Sequence, residues 1–326
     1  MLHREPGKRG PIQMRQSPAP VAMLDDERTH MRVVNGLDLL VREWGPADAP
    51  AIVLLHGLRG YSGTWRKLAA ELRGPMRLIA IDQRGRGASA WDPDRNYYTD
   101  AYLADLEQVV DGLGLDRFVL VGHSMGGTTA YVYAARHPDR VAGLVVEDIA
   151  PGSSSLGEGA RRIVAEMASL PRDFADWDEA RAYWRARRAS LGEAAIEERL
   201  AESLCDGPEG RIAWRYDAAG IGATRVDPDP ARMVDLWPVV DSLAVPTLVI
   251  RGGNSDFCPA ETVARMVERN PNIREIAVAS ASHYVHDDAP AVFNAHVRAF
   301  VEPLLGTDGW ASHQQSPATT SVAHQE

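Results

Sequence analysis

Short apolar runs alternate along the chain with segments whose apolar residues recur at helical spacing. Met31 to Val34 and Leu37 to Val41 flank Asn35-Gly36, a two-residue hairpin signal because both central residues must take positive φ. Six more runs follow, Ala51 to Leu55, Arg77 to Ile81, Arg117 to Val121, Val141 to Val146, Thr247 to Ile250 and Ile273 to Val278. They are apolar on both alternating faces, as parallel strands covered by helices must be. Helical patterns separate most of them, over Thr64 to Leu72, Asp100 to Gly112, Met125 to Arg136, Ala260 to Glu268 and Ala291 to Leu305. The alternation predicts an α/β fold around a mostly parallel sheet.

The rhythm breaks between Pro151 and Val240. No strand-like run occurs there, while helical patterns cover Ala160 to Leu170, Asp178 to Ala189 and Ala194 to Leu204. About ninety residues are too many for a loop, so 151–240 reads as a helical cap over one end of a core formed by 29–150 and 241–305. The polar, proline-broken segment 1–28 and the Ser/Thr/Gln-rich segment 306–326 read as disordered extensions.

Composition narrows the function classes. At 326 residues and 45% hydrophobic, the chain can bury a full core. A net charge of −10 disfavours a nucleic-acid partner. No apolar stretch is long enough for a membrane helix, and the N-terminus lacks the apolar core of a signal peptide. Two cysteines, Cys205 and Cys258, give no disulfide framework. Cytoplasmic placement follows as the expectation, with oligomeric state left open.

Ligands of an open parallel sheet bind beyond the carboxyl ends of its strands, so the residues following each strand carry the chemistry. Gly122-His123-Ser124-Met125-Gly126-Gly127 stands between a strand and a helix. Gly-x-Ser-x-Gly there makes a sharp turn that exposes the Ser124 hydroxyl as a nucleophile. Asp256 follows Thr247 to Ile250 and is the expected acid that orients a histidine. Asp148, after Val141 to Val146, is the alternative acid. Past the last strand come His283 and His286; His283, nearer the strand end, is the expected general base. These histidines with Asp287 and Asp288 would be metal ligands only with a second His/Cys cluster, which is lacking. Neither metal nor cofactor is expected.

The Met125 backbone N–H and that of Leu58, in His56-Gly57-Leu58, are the expected oxyanion donors. Gly85-Arg86-Gly87-Ala88-Ser89-Ala90 mimics a dinucleotide fingerprint, but Trp91-Asp92-Pro93 follows where a helix must begin. Asp82 to Gly87 is read instead as one wall of the cleft. Tyr61, Trp65, Trp184 and Trp214 are the pocket candidates, suggesting a small, mainly apolar substrate. Arg181, Arg185 and Arg188, along one helical stretch, read as a solvated face.

The order Ser124, Asp256, His283, with His56-Gly57, Asp82 to Ser89 and Gly253 to Asp256, resembles the α/β-hydrolase fold superfamily over roughly residues 29–304. It looks most like cap-bearing bacterial serine hydrolases acting on esters, lactones, amides or vinylogous C–C bonds. The resemblance implies an eight-stranded sheet with an antiparallel first pair and a helical cap after the sixth strand. It also implies an acyl-enzyme on Ser124. Alternatives with the same triad are a C–C bond hydrolase or an acyltransferase, and a hydrolase-like ligand-binding receptor is a third. Dehalogenases and epoxide hydrolases of this fold use aspartate where Ser124 stands, which disfavours those reactions.

Overall fold

Five consecutive buried apolar residues make Ala51–Leu55 a strand that must lie inside a sheet covered on both faces. The computed structural model describes residues 17–153 and 157–306. In chain order its strands are β1 (Arg28–Val34), β2 (Leu37–Trp44), β3 (Ala51–Leu55), β4 (Arg77–Ile81), β5 (Phe118–His123), β6 (Val141–Glu147), β7 (Asp173–Phe174), β8 (Leu204–Asp206), β9 (Ile212–Trp214), β10 (Thr247–Gly252) and β11 (Ile273–Val278). Eight of them form one sheet in the order β1-β2-β4-β3-β5-β6-β10-β11. β2 runs antiparallel to both its neighbours and every other pairing is parallel. This is the α/β architecture with a mostly parallel sheet that the alternation predicts. At the first hairpin Asn35 and Gly36 have φ of 50° and 78°, the two positive values such a turn requires.

Alternate residues of each inner strand feed opposite cores. Val53, Leu120 and Val249 pack beneath helices Thr99–Gly112 and Met125–Arg136. Ile52, Val119 and Leu248 face Arg66–Leu72 and Pro290–Leu305. Side-chain alternation along a strand is what divides one sequence between two layers.

The segment between β6 and β10 is largely helical, with Gly157–Ala168, Trp177–Arg187, Glu193–Ser203 and Ala218–Val226. Contrary to expectation it also contains strands, as β7, β9 and β8 form a small antiparallel sheet. Strands of two or three residues leave no readable period. Its last helix, Leu236–Ser242, puts Leu236 and Val240 into the main core beside helix Met125–Arg136. The insertion packs on the sheet through its own apolar cluster, where Trp184, Trp214 and Phe174 meet Tyr102, Met125 and Phe257.

The expected loose extension also needs correction. Residues 1–16 and 307–326 lie outside the described residues, but Arg28 opens β1. The fully buried Glu27 carboxylate binds Arg42, Arg66 at 3.0 Å and the Trp44 indole at 3.1 Å. Ion pairs cluster here without an apolar period to announce them. Among the described residues no helix is long and apolar enough to cross a membrane.

Candidate active site

β5 ends in a turn that holds Ser124 at φ 52°, ψ −116°, and helix Met125–Arg136 starts on the next residue. Positive φ in a residue with a Cβ is strained, and the surroundings must hold it. Here Ser124 N donates to the Glu147 carbonyl at 3.0 Å, and Thr128 N donates to the Ser124 carbonyl at 2.9 Å. A Cβ on Gly126 would stand 2.5 Å from the Leu55 carbonyl oxygen, so only glycine lets the helix approach β3 this closely.

The Ser124 hydroxyl lies 2.9 Å from His283 Nε2, and His283 Nδ1 lies 2.7 Å from Asp148 Oδ2. With the carboxylate on Nδ1, that nitrogen carries the proton and Nε2 is free to accept from Ser124. Asp148 follows β6 at φ 53° and is fully buried. Its Oδ1 accepts from Gly252 N at 2.8 Å and its Oδ2 from the Ser255 hydroxyl. Phe257 stacks on the His283 ring with centroids 4.2 Å apart. His123 Nε2 donates to the His283 carbonyl at 2.9 Å. Burial holds the pKa of His123 far below the ordinary histidine range, helped by the neighbouring His283 and His286.

Asp256, the expected acid, does not touch His283. Its two oxygens accept from Arg162 Nε and Nη2 at 2.7 and 2.8 Å, and that pairing lowers its pKa. The reason is local. After β10, Gly253 N and Asn254 N bond the carbonyls of Val278 and Ala281, and the turn brings Ser255 to the Asp148 carboxylate. Asp256 then faces the insertion and ties down helix Gly157–Ala168, whose Gly159 N donates to the Asp256 carbonyl at 3.1 Å. Position after a strand could name both carboxylates; only loop geometry distinguishes them.

Leu58 and Met125 line the same cavity as Ser124 and His283. Behind them, Arg86 Nε donates to the Leu58 carbonyl at 2.8 Å and Gln83 N donates to His56 Nε2 at 3.1 Å. Burial, with the nearby Arg86 charge, pushes His56 down to about 3, so its ring is neutral near pH 7. Residues 82–87 are absent from the cavity lining; they brace the loop from behind rather than form a cleft wall. A Cβ on Gly57 would reach 2.6 Å from His123 Nδ1 and 3.3 Å from Ser124 Cβ.

The four aromatic pocket candidates are not in the lining. Trp65 is 1% exposed in the core beside Phe293. Trp184 and Trp214 pack edge to face inside the insertion, and Tyr61 lies under Arg199. Their apolar surface is spent on packing. The cavity, with about 790 Å³ of empty space partly open to solvent, is lined instead by Leu58, Ile149, Ile163 and Phe257 and by four arginines, Arg59, Arg162, Arg199 and Arg225. The helical arginines are paired as well. Arg181 binds Glu197 at 2.6 Å, Arg185 binds Glu193, and the buried Arg188 reaches Asp287 at 3.1 Å.

A second chain of hydrogen bonds runs beside the first. Thr64 Oγ1 lies 2.9 Å from His286 Nε2, and His286 Nδ1 lies 2.8 Å from both Glu147 oxygens. Burial alone would lower the His286 pKa, but Glu147 and Asp287 outweigh it and raise it. His123, Glu147 and His286 bring one possible ligand atom each within 4.8 Å of one another. Both His286 ring nitrogens are engaged, however, with Glu147 and Thr64, and His123 Nε2 is engaged with the His283 carbonyl. Strand-end reading found His286 but missed His123 and Glu147, because His123 sits inside the Gly-x-Ser-x-Gly motif and Glu147 inside an apolar strand.

The family described as alpha/beta hydrolase fold matches residues 50–290. A Bacillus subtilis protein named putative 2-succinyl-6-hydroxy-2,4-cyclohexadiene-1-carboxylate synthase is 32% identical over 84% of this chain and 98% of its own. The esterase Rv0045c of Mycobacterium tuberculosis is 31% identical over 81% of this chain and 84% of its own. Among solved structures, E-2-(acetamidomethylene)succinate hydrolase superposes with a TM-score of 0.75 at 24% identity. It covers 85% of this chain and 99% of its own length, a likeness of fold.

Proposed function

The chain belongs to the α/β-hydrolase fold family and is an enzyme acting on ester or amide bonds; from that premise we propose that Ser124, His283 and Asp148 are its catalytic triad. One observation carries the assignment: the unbroken chain from Ser124 Oγ through His283 to Asp148, at 2.9 and 2.7 Å. His283 Nε2 takes the hydroxyl proton as Ser124 attacks the substrate carbonyl, and Asp148 stabilises the imidazolium that forms. The Leu58 and Met125 N–H groups hold the oxyanion, each donor lowering the barrier by about 3 kcal/mol. His283 then protonates the leaving group, and water activated by the same nitrogen releases the acyl group.

Residues 151–240 act as a cap in this proposal. Arg162 and Asp256 join it to the loop after β10, and Arg188 and Arg199 join it to Asp287. Such closure excludes water and strengthens the electrostatics beneath. We further place the enzyme in the cytoplasm, where its free Cys205 and Cys258 stay reduced, with a small-molecule substrate and no nucleic-acid partner.

A fluorophosphonate probe tests the proposal. It should label the wild-type protein on Ser124 and leave Ser124→Ala unlabelled, with hydrolysis of 4-nitrophenyl butyrate lost in parallel. Equal labelling of both proteins would overturn it.

A further inference from the structure

Four guanidinium groups on one cavity would repel each other unless carboxylates offset them, and three are offset. Arg59 binds Glu166 at 2.6 Å, Arg162 binds Asp256 at 2.7 Å, and Arg199 binds Asp287 at 2.9 Å. Arg225 is not. It stands near the end of helix Ala218–Val226, and its Nη1 donates only to the Thr224 carbonyl at 3.0 Å and the Thr224 hydroxyl at 3.2 Å. Among the described residues no carboxylate pairs with it.

Its surroundings do not compensate. A cation that acts on it is Arg86, fully buried and held by the carbonyls of Leu58 and Arg84 and the Tyr102 hydroxyl. Burial and Arg86 together lower the Arg225 pKa from its ordinary value. Desolvating a cation without a counter-charge is unfavourable, and the cavity offers no acid of its own. No aspartate or glutamate is among the described residues that line it. Arg225 also lines a second cavity, and the two share Met125, Thr128, Ile149 and Arg225 as a common wall. Met125 and Thr128 lie on the helix that follows Ser124, which lines the same cavity, so that wall adjoins the proposed nucleophile.

We propose that Arg225 is the anion subsite of this active site, and that the preferred substrate carries a carboxylate close to the bond that is cleaved. A planar guanidinium on a cavity wall can bind a carboxylate through two parallel hydrogen bonds. The substrate supplies the missing counter-charge, and Leu58, Ile149, Ile163 and Phe257 cover its carbon skeleton. The proposal rests on the serine-hydrolase reading above and names the substrate class for that site.

The test compares esters matched in size. 4-Nitrophenyl hemiglutarate against 4-nitrophenyl pentanoate puts the carboxylate on the acyl side, and the acetate esters of 4-hydroxybutyrate and of butanol put it on the alcohol side. In at least one pair the wild type should favour the anionic ester by about 10-fold or more in kcat/KM. Arg225→Leu should bring that ratio near unity, and Arg225→Lys should restore part of it. Thermal unfolding gives a readout independent of turnover, since glutarate should raise the wild-type midpoint and not that of Arg225→Leu. No anionic preference in either pair, or a preference or glutarate shift that survives in Arg225→Leu, overturns the subsite. Failure of the serine-hydrolase reading looks different: no ester is cleaved and Ser124 is not labelled, while the glutarate shift still decides the subsite.

Discussion

Two hydroxyl–imidazole–carboxylate chains lie side by side at the carboxyl end of this sheet, and the proposal assigns catalysis to only one of them. Ser124–His283–Asp148 and Thr64–His286–Glu147 use adjacent acids, histidines three residues apart, and nearly equal distances. Ser124 sits at positive φ ahead of a twelve-residue helix, where the helix N-terminus favours developing negative charge. Thr64 has no positive φ and sits inside the four-residue 3-10 turn Ser62–Trp65, which runs on into the shorter, seven-residue helix Arg66–Leu72. The His286 pKa is raised by Glu147 and Asp287, which favours its protonated form over the free base that must accept a hydroxyl proton. Connectivity alone does not make a nucleophile; backbone strain and a place for the oxyanion do.

The largest effect expected from that contrast is in Ser124→Ala, which should lower kcat by about 10⁴-fold or more while the unfolding midpoint stays close to wild type. Removing the orienting charge in Asp148→Asn should cost about 10³- to 10⁴-fold in kcat/KM, against less than about 5-fold for Asp256→Asn, whose partner is Arg162. Steady-state hydrolysis of 4-nitrophenyl butyrate reads both variants. Gly57→Ala drives a methyl group toward His123 and Ser124 and should cost about 1–3 kcal/mol of stability, measured by urea unfolding, together with activity. Thr64→Val should change kcat by less than about 10-fold; a loss as deep as that of Ser124→Ala would make the second chain catalytic.

The smallest effect is a pH dependence of stability. The folded pKa of His286 is raised above its ordinary 6.5. Its contribution to stability is therefore fully present below 6.5 and lost as the pH rises through the folded value. The midpoint difference between wild type and His286→Gln should then be larger near pH 6 than near pH 9. A difference that grows with pH would reverse the assignment.

Periodicity made the sheet and the elbow legible. β3, β4 and β11 occupy the residues their apolar runs marked, and helix Met125–Arg136 spans its pattern. What escaped was set by contacts between distant segments. Asp148 and Asp256 both end strands, and the hydrogen bonds of Gly253 and Asn254 send one inward and the other toward Arg162. Trp184 and Trp214 carry the composition of a pocket, yet helix Trp177–Arg187 and the short strand β9 place them in the interior of the insertion. Glu27 is buried by arginines from two later elements, which no local window contains.

The choice between the two acids is most directly tested by proton NMR of the His283 Nδ1–H. A charge-assisted bond to a buried carboxylate moves that proton far downfield of the amides. The resonance should be present in the wild type and in Asp256→Asn and absent or shifted upfield in Asp148→Asn. Its survival in Asp148→Asn together with its loss in Asp256→Asn would contradict the placement of Asp148 in the triad.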